Sequence, residues 1–296
     1  MKTHALIMTF PSDKFEQYGH CIKGFSENWP ENVMGYAIVE GAETVKNFEK
    51  RNLKILEFDE CVGEEILRFE QRNTGKNIFD LEIGGDIARQ AAKFARKAFA
   101  QIYVLETIDV DFVHYIDADL YTHKDFPFEE IENITNKDFL VACTPRWWKR
   151  GASPFQALDN NTLHVGYTET GYMIWNRRHN DFKTWLKLYK SCYEEDKIFN
   201  FEQWHDCIAF DFATLTCMSN HASYVFDLSF GARSSHPLVV GPLGKYFDHM
   251  KGPRKFIGAS PERIMAHGTL SQKVFAIFNK IVSKTFKIRN KTFRKE

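Results

Sequence analysis

The stretch Phe112-Val-His-Tyr-Ile-Asp-Ala-Asp-Leu120 constrains this chain more than any other. An apolar run from Phe112 to Ile116 reads as a buried strand, and it ends in two carboxylates, Asp117 and Asp119, one residue apart. Side chains alternate along a strand, so this spacing predicts both carboxylates on the same side. Two like charges placed there repel. A divalent metal with oxygen ligands is the commonest compensating cation. The plainer reading is a polar turn after a strand, where Asp is ordinary.

A second pattern lies far downstream. His249-Met-Lys-Gly-Pro-Arg-Lys255 reads H-x-x-G-x-x-K, with Asp248 just before it. A neutral imidazole at 249 suits a third metal ligand, and Gly252 lets the backbone approach a bulky anion. Lys251, Arg254 and Lys255 suit phosphate oxygens. A basic Gly-Pro surface loop would account for the composition of this segment but not for its pairing with an upstream D-x-D.

With both motifs in hand, the chain resembles the metal-dependent GT-A glycosyltransferases, in particular the relatives of glycosyltransferase family eight. The resemblance extends over roughly residues 1 to 260, and its specific part is these two motifs. The family-eight pattern continues with Pro-Trp after the lysine, whereas Phe256-Ile257 stand here. The resemblance implies that Asp117, Asp119 and His249 hold Mn²⁺ or Mg²⁺ and that the ion bridges the diphosphate of a nucleotide-sugar, a UDP-sugar first. Asp117, Lys251, Gly252 and Lys255 would contact that donor, joined by Thr9 at the end of the first strand.

The remaining pattern is α/β. His4 to Phe10 reads as the first strand, followed by an amphipathic helix from a cap at Ser12 to Trp29. Val33 to Glu40 and Leu53 to Phe58 read as strands and Gly85 to Phe99 as a helix, before the strand that delivers the carboxylates. This order predicts a GT-A, Rossmann-like and mainly parallel sheet with helices on both faces, binding its ligand at the carboxyl ends of the strands. In the helix of residues 85 to 99, Arg89, Lys93 and Lys97 are four apart and share a face. A cation from such a helix reaches the donor in similar enzymes, so Lys93 and Lys97 are the candidates, against a solvated helix face.

Two acids are catalytic candidates. Glu169 lies in a polar turn, Thr168 to Gly171, leading into a strand from Tyr172 to Trp175, and in similar transferases such an acid faces the reaction centre. Asp206 follows Trp204 and His205, after a helix from Asp181 to Tyr193, where an aromatic face and a carboxylate would suit a sugar. Turn or cap roles for the two acids, and a core role for Trp204, are the competing readings. The function expected is transfer of a hexosyl group from a nucleotide-diphosphate sugar to a glycan or lipid-linked acceptor, with retention of configuration. A metal-dependent phosphoester or sugar-phosphate hydrolase and a non-catalytic membrane or carbohydrate-binding module are the alternatives.

Composition bears on partners and location. With 44% hydrophobic residues, 296 residues suffice for one large core, and no linker or repeat divides the chain. One catalytic domain, 1–269, with a tail, 270–296, is expected. The zero net charge conceals segregation: the tail carries eight basic residues and one acid, leaving 31 basic and 38 acidic residues in the body. Val274, Phe278, Ile281, Val282 and Ile288 recur at helical spacing opposite lysines, which fits either an anionic membrane surface or docking on the body. Nucleic acid is not an expected partner, because the body is acidic. Six cysteines without C-x-x-C spacing argue against zinc and against a secreted disulfide framework. The first eleven residues do not read as a signal peptide, and no segment reads as long enough to span a bilayer. A cytoplasmic protein, peripheral at the inner face of a membrane, is the expectation.

Overall fold

Strands and helices alternate through most of the chain, of which a computed structural model describes residues 2–76, 78, 90–146, 155–158, 162–165, 168–201, 203–218, 224–234, 236–250, 260–274 and 277. In order these are β1 (His4–Pro11), α1 (Phe15–Tyr18), α2 (His20–Asn28), β2 (Val33–Glu40), β3 (Leu53–Glu57), α3 (Phe58–Arg72), α4 (Ala91–Thr107), β4 (Phe112–Ile116) and β5 (Leu120–Thr122). Then follow α5 (Phe128–Thr135), β6 (Val141–Thr144), β7 (Phe155–Leu158), β8 (Thr162–Val165), β9 (Glu169–Asn176), α6 (Phe182–Glu194) and α7 (Asp206–Met218). The last are β10 (Val225–Asp227), α8 (Pro237–Val240), β11 (Phe247–His249) and α9 (Pro261–His267).

Seven strands form the central sheet in the order β10-β6-β9-β4-β1-β2-β3. Its pairings are parallel except those of β9, which runs antiparallel to both β4 and β6. The expected mainly parallel α/β architecture is the one observed. Alternation along β1 sends Ala5 and Ile7 into one core, beneath α3, α4, α6 and α7, and Leu6, Met8 and Phe10 into the other, beneath α2 and α5. Both faces are therefore covered, as a parallel sheet requires. Alanines at 91, 92, 95 and 98 give α4 a thin buried face.

Several boundaries differ from those expected. The helix drawn from Ser12 is two pieces separated at Gly19, and Ser12 opens a short 3-10 turn without a capping bond. The helix placed over 85–99 runs on to Thr107, and its part before Gln90 lies outside the described residues. Glu169 to Gly171 are strand, not turn, because β9 pairs with β6 as far as Thr144–Glu169. Trp204 packs against the first core, its ring 5.0 Å from that of Phe199. That packing is the core role, and the residue remains half-buried.

A buried polar chain crosses the second core. His4 Nδ1 lies 3.1 Å from His114 Nε2, and His114 Nδ1 3.0 Å from the Tyr172 hydroxyl. His4 Nε2 has no hydrogen-bond partner among the described residues. Burial lowers the His4 pKa to about 4 against Asp111, which raises it, and also holds that of His114 well below the ordinary value of 6.5. The unfolded chain therefore takes up protons first as pH falls, so this contribution is full above 6.5 and is lost between 6.5 and about 4. His4→Phe is expected to be less stable at neutral pH, with its deficit in Tm narrowing across that window. Parallel Tm curves for the two proteins would contradict this.

Candidate functional site

The D-x-D segment leaves the strand before its carboxylates begin. β4 ends at Ile116, and Asp117-Ala118-Asp119 turn into β5, with Leu120 N–H donating to Asp117 O at 2.9 Å. Strand alternation consequently does not set the two side chains, and they meet different partners. Helix α2 holds this turn in place. Cys21 N–H donates to Ala118 O at 3.3 Å, and Trp29 Nε1 donates to the Thr122 hydroxyl at 2.9 Å. Gly24 makes the packing possible, since a Cβ there would stand 2.5 Å from Thr122 N.

The late motif reaches the same place through a two-stranded pairing. β11 runs antiparallel to β5 with His249 opposite Leu120, and Met250 N–H donates to Asp119 O at 2.8 Å. His249 Nε2 thereby stands 3.1 Å from Asp119 Oδ1, across 130 positions of sequence. Asp248 is an anchor: buried, it accepts from Ser260 N at 2.9 Å, the Ser260 hydroxyl, and Arg263 Nε at 2.8 Å, tying α9 to β11.

β9 contributes from the sheet itself. Because it runs antiparallel to β4, its first residue, Glu169, lies beside the carboxyl end of β4, with Asp117 N–H donating to Gly171 O at 2.8 Å. A bulge in the β6–β9 register accompanies this turn of the backbone, a common device for re-aiming a side chain beside a site. Ligand atoms of Asp117, Glu169 and His249 fall within 4.8 Å of one another. Gly171 allows the approach of the imidazole, because a Cβ there would lie 3.0 Å from both His249 Cε1 and Leu238 Cδ1.

Lys97 of α4 is the cation at the centre. Its Nζ lies 2.6 Å from Asp117 Oδ1, 2.7 Å from Asp206 Oδ2 and 3.3 Å from Thr170 Oγ1. Burial alone would push its pKa down, but attraction to Asp117 and Asp206 outweighs this and holds it above the lysine norm. For Asp117, burial pushes the pKa upward and Asp119 and Asp206 add to it, against the attraction of Lys97 and His249. Asp206, buried in the first turn of α7, also accepts from Thr170 Oγ1 at 2.9 Å. Negative charge at a helix N-terminus is favourable.

The candidate residues thus divide. Asp117, Asp119, Glu169, Asp206, His249 and Lys97 share one neighbourhood at the carboxyl end of β4. Lys93 does not join them; it is exposed, its Nζ 5.8 Å from its neighbour's ring, Phe94. Thr9 is half-buried near the end of β1, paired with Ile38. Lys251, Gly252 and Lys255 lie outside the described residues. Arg146, Thr170 and Tyr115 received no role from the sequence. Arg146 is buried in an ion pair with Glu169, and Tyr115 donates to Asp117 Oδ1 at 3.1 Å. A signal for Arg146 existed: it follows an apolar run, Phe139 to Cys143, that ends at the same edge of the sheet.

No family model and no curated sequence matches the chain. Among solved structures, the bifunctional glycosyltransferase WbbM in its apo form is similar at 13% identity and a TM-score of 0.51, over 88% of this chain and 47% of its own. GlyE from Streptococcus pneumoniae TIGR4 aligns over 96% of this chain and 64% of its own at 11% identity and a TM-score of 0.47. Mouse xyloside xylosyltransferase 1 aligns over 77% of this chain and 85% of its own at 12% identity and a TM-score of 0.43. The chain spans about half the length of WbbM. The WbbM likeness is one of fold: the chain has a glycosyltransferase-like, mostly parallel α/β fold.

Proposed function

We propose that residues 1–269 form a metal-dependent glycosyltransferase that moves a hexosyl group from a nucleotide-diphosphate sugar, a UDP-sugar first, to a glycan or lipid-linked acceptor. The observation that carries this reading is the convergence of Asp117, Asp119, Glu169 and His249, from three separate parts of the chain, at the carboxyl end of β4 in a glycosyltransferase-like sheet.

Carboxylate oxygens with one imidazole suit Mn²⁺ or Mg²⁺. Asp117 and His249 would hold the ion, with Asp119 beside the imidazole and Glu169 within reach of both. When bound, the ion supplies positive charge against the diphosphate leaving group. The protein's own groups then set geometry. Lys97 fixes Asp117 and Asp206 relative to each other, and the Thr170 hydroxyl donates to the same Asp206 oxygen that Lys97 meets. Arg146 holds Glu169 at the start of β9. Asp206 and Glu169 would bind sugar hydroxyls, and in an inverting reaction one of them would receive the acceptor's proton. The resemblance of H-x-x-G-x-x-K to the family-eight pattern is what speaks for retention.

Thermal unfolding with a panel of nucleotide-sugars, each with and without Mn²⁺, tests this directly. The cognate donor is expected to stabilise the protein only when the ion is present, by about 2.7 kcal/mol at a hundredfold excess over Kd. Nucleoside diphosphate should then be released at full rate only with an acceptor. Release at the same rate without one would move the reading to a hydrolase, and no shift with any donor would remove it.

A further inference from the structure

Helix resumes at Leu270, after α9, and its described part includes residues 270–274 and 277. Leu270, Val274 and Ile277 are 80%, 57% and 46% exposed. Leu270 and Val274, four apart within residues 270–274, share one helix face, and Ile277 follows at the sequence spacing that continues it. A C-terminal helix docked on its own domain would bury its apolar face. The described residues here instead expose their apolar side chains to solvent, together with Met265 of α9 at 45% exposure, while Phe278, Ile281, Val282 and Ile288 lie outside the described residues. The large apolar side chains exposed among the described residues are six, and four of them fall between 265 and 277.

Charge identifies the occupant. From Leu270 onward the chain has Lys273, Lys280, Lys284, Lys287, Arg289, Lys291, Arg294 and Lys295 against Glu296 alone. A protein partner with a plain apolar groove would not need this density of positive charge, whereas an anionic bilayer rewards both features: apolar side chains insert at the acyl boundary, and Lys and Arg meet the phosphates. The acidic body, 31 basic against 38 acidic residues, would be repelled by the same surface and so keeps the tail as the point of contact.

We propose that residues 270–296 attach the protein to anionic lipid surfaces, with Leu270, Val274 and Ile277 as inserted side chains and the basic residues after them as headgroup contacts. No described helix is long and apolar enough to cross a membrane, so attachment would be in the interface. Leu270, Val274 and Ile277 are not among the residues proposed for the donor site.

Sedimentation of the full chain with vesicles of equimolar phosphatidylcholine and phosphatidylglycerol, and with phosphatidylcholine alone, tests the proposal. Binding is expected to the anionic vesicles only and to weaken with salt. The triple variant Leu270→Ser, Val274→Ser, Ile277→Ser keeps every charge and is expected to partition about tenfold less. Binding unchanged in that variant, equal binding to neutral vesicles, or sedimentation of the chain without vesicles would each overturn it. The last outcome would assign the stripe to self-association. Nucleotide-sugar shifts measured on the same variant should equal those of the unmodified chain, which keeps a failure here distinct from a failure of the donor site.

Discussion

Asp117→Asn is expected to lower kcat/KM for sugar transfer by about 10³-fold, roughly 4 kcal/mol of transition-state stabilisation, while Tm stays constant or rises. The amide has the shape of the carboxylate, and its oxygen can still accept from Lys97 Nζ and the Tyr115 hydroxyl, at 2.6 and 3.1 Å in the unmodified chain. What the change removes is a half-buried negative charge that the fold disfavours. Burial, Asp119 and Asp206 all push the Asp117 carboxyl toward its neutral form, and Lys97 and His249 only partly offset them. A charge kept under those conditions serves something other than stability. On the proposed function it serves the ion, so the Mn²⁺-dependent shift in Tm should vanish with the activity. Steady-state kinetics at saturating metal, together with thermal unfolding, check both parts. Activity within tenfold of the unmodified enzyme would sink the assignment, and a large fall in Tm would make the residue structural.

The sheet was largely legible in the sequence because buried parallel strands read as unbroken apolar runs. β2 and β4 fall at their expected limits, Val33–Glu40 and Phe112–Ile116, and β1 exceeds its own by one residue. Elements whose form depends on distant partners were not legible. β5 and β11 have three residues each and exist because they pair with one another, and Asp248 is buried because Ser260 and Arg263 come to it. The same distinction runs through the site. The two motifs flagged the ligand-type side chains Asp117, Asp119 and His249, since their chemistry shows in residue type. Lys97 could not be separated from Lys93 by spacing, because positions four apart share a helix face; only the path of α4 across β4 decides which one meets Asp117. Glu169 was visible as an acid before a strand, but its position beside Asp117 depends on the irregular β6–β9 register, which leaves no trace in local pattern.

That difference between two lysines gives the second large effect. Lys97→Met retains volume and removes the cation that bridges Asp117 and Asp206, leaving a buried Asp206 beside a half-buried Asp117. Stranding a buried partner costs about 3–5 kcal/mol, which for a chain of this size is a fall in Tm of several degrees. The Lys97 side chain is only 14% exposed, so water does little to soften that loss. Lys93→Met, one turn away and exposed, is expected to stay within about 0.5 kcal/mol. Added Mn²⁺ should then raise Tm more in Lys97→Met than in the unmodified protein, because an ion at Asp117 replaces part of the missing positive charge. Turnover should remain low in the metal-saturated variant, since Asp206 has lost its link to Asp117 and keeps only the Thr170 hydroxyl among the contacts described for its Oδ2. Lys97→Arg retains charge but not the compact ammonium, and is expected to recover stability more than activity. If the two methionine variants lost equal stability, or if Mn²⁺ shifted Lys97→Met no more than the unmodified chain, Lys97 would be an ordinary helix cation and the carboxylate cluster would need another explanation.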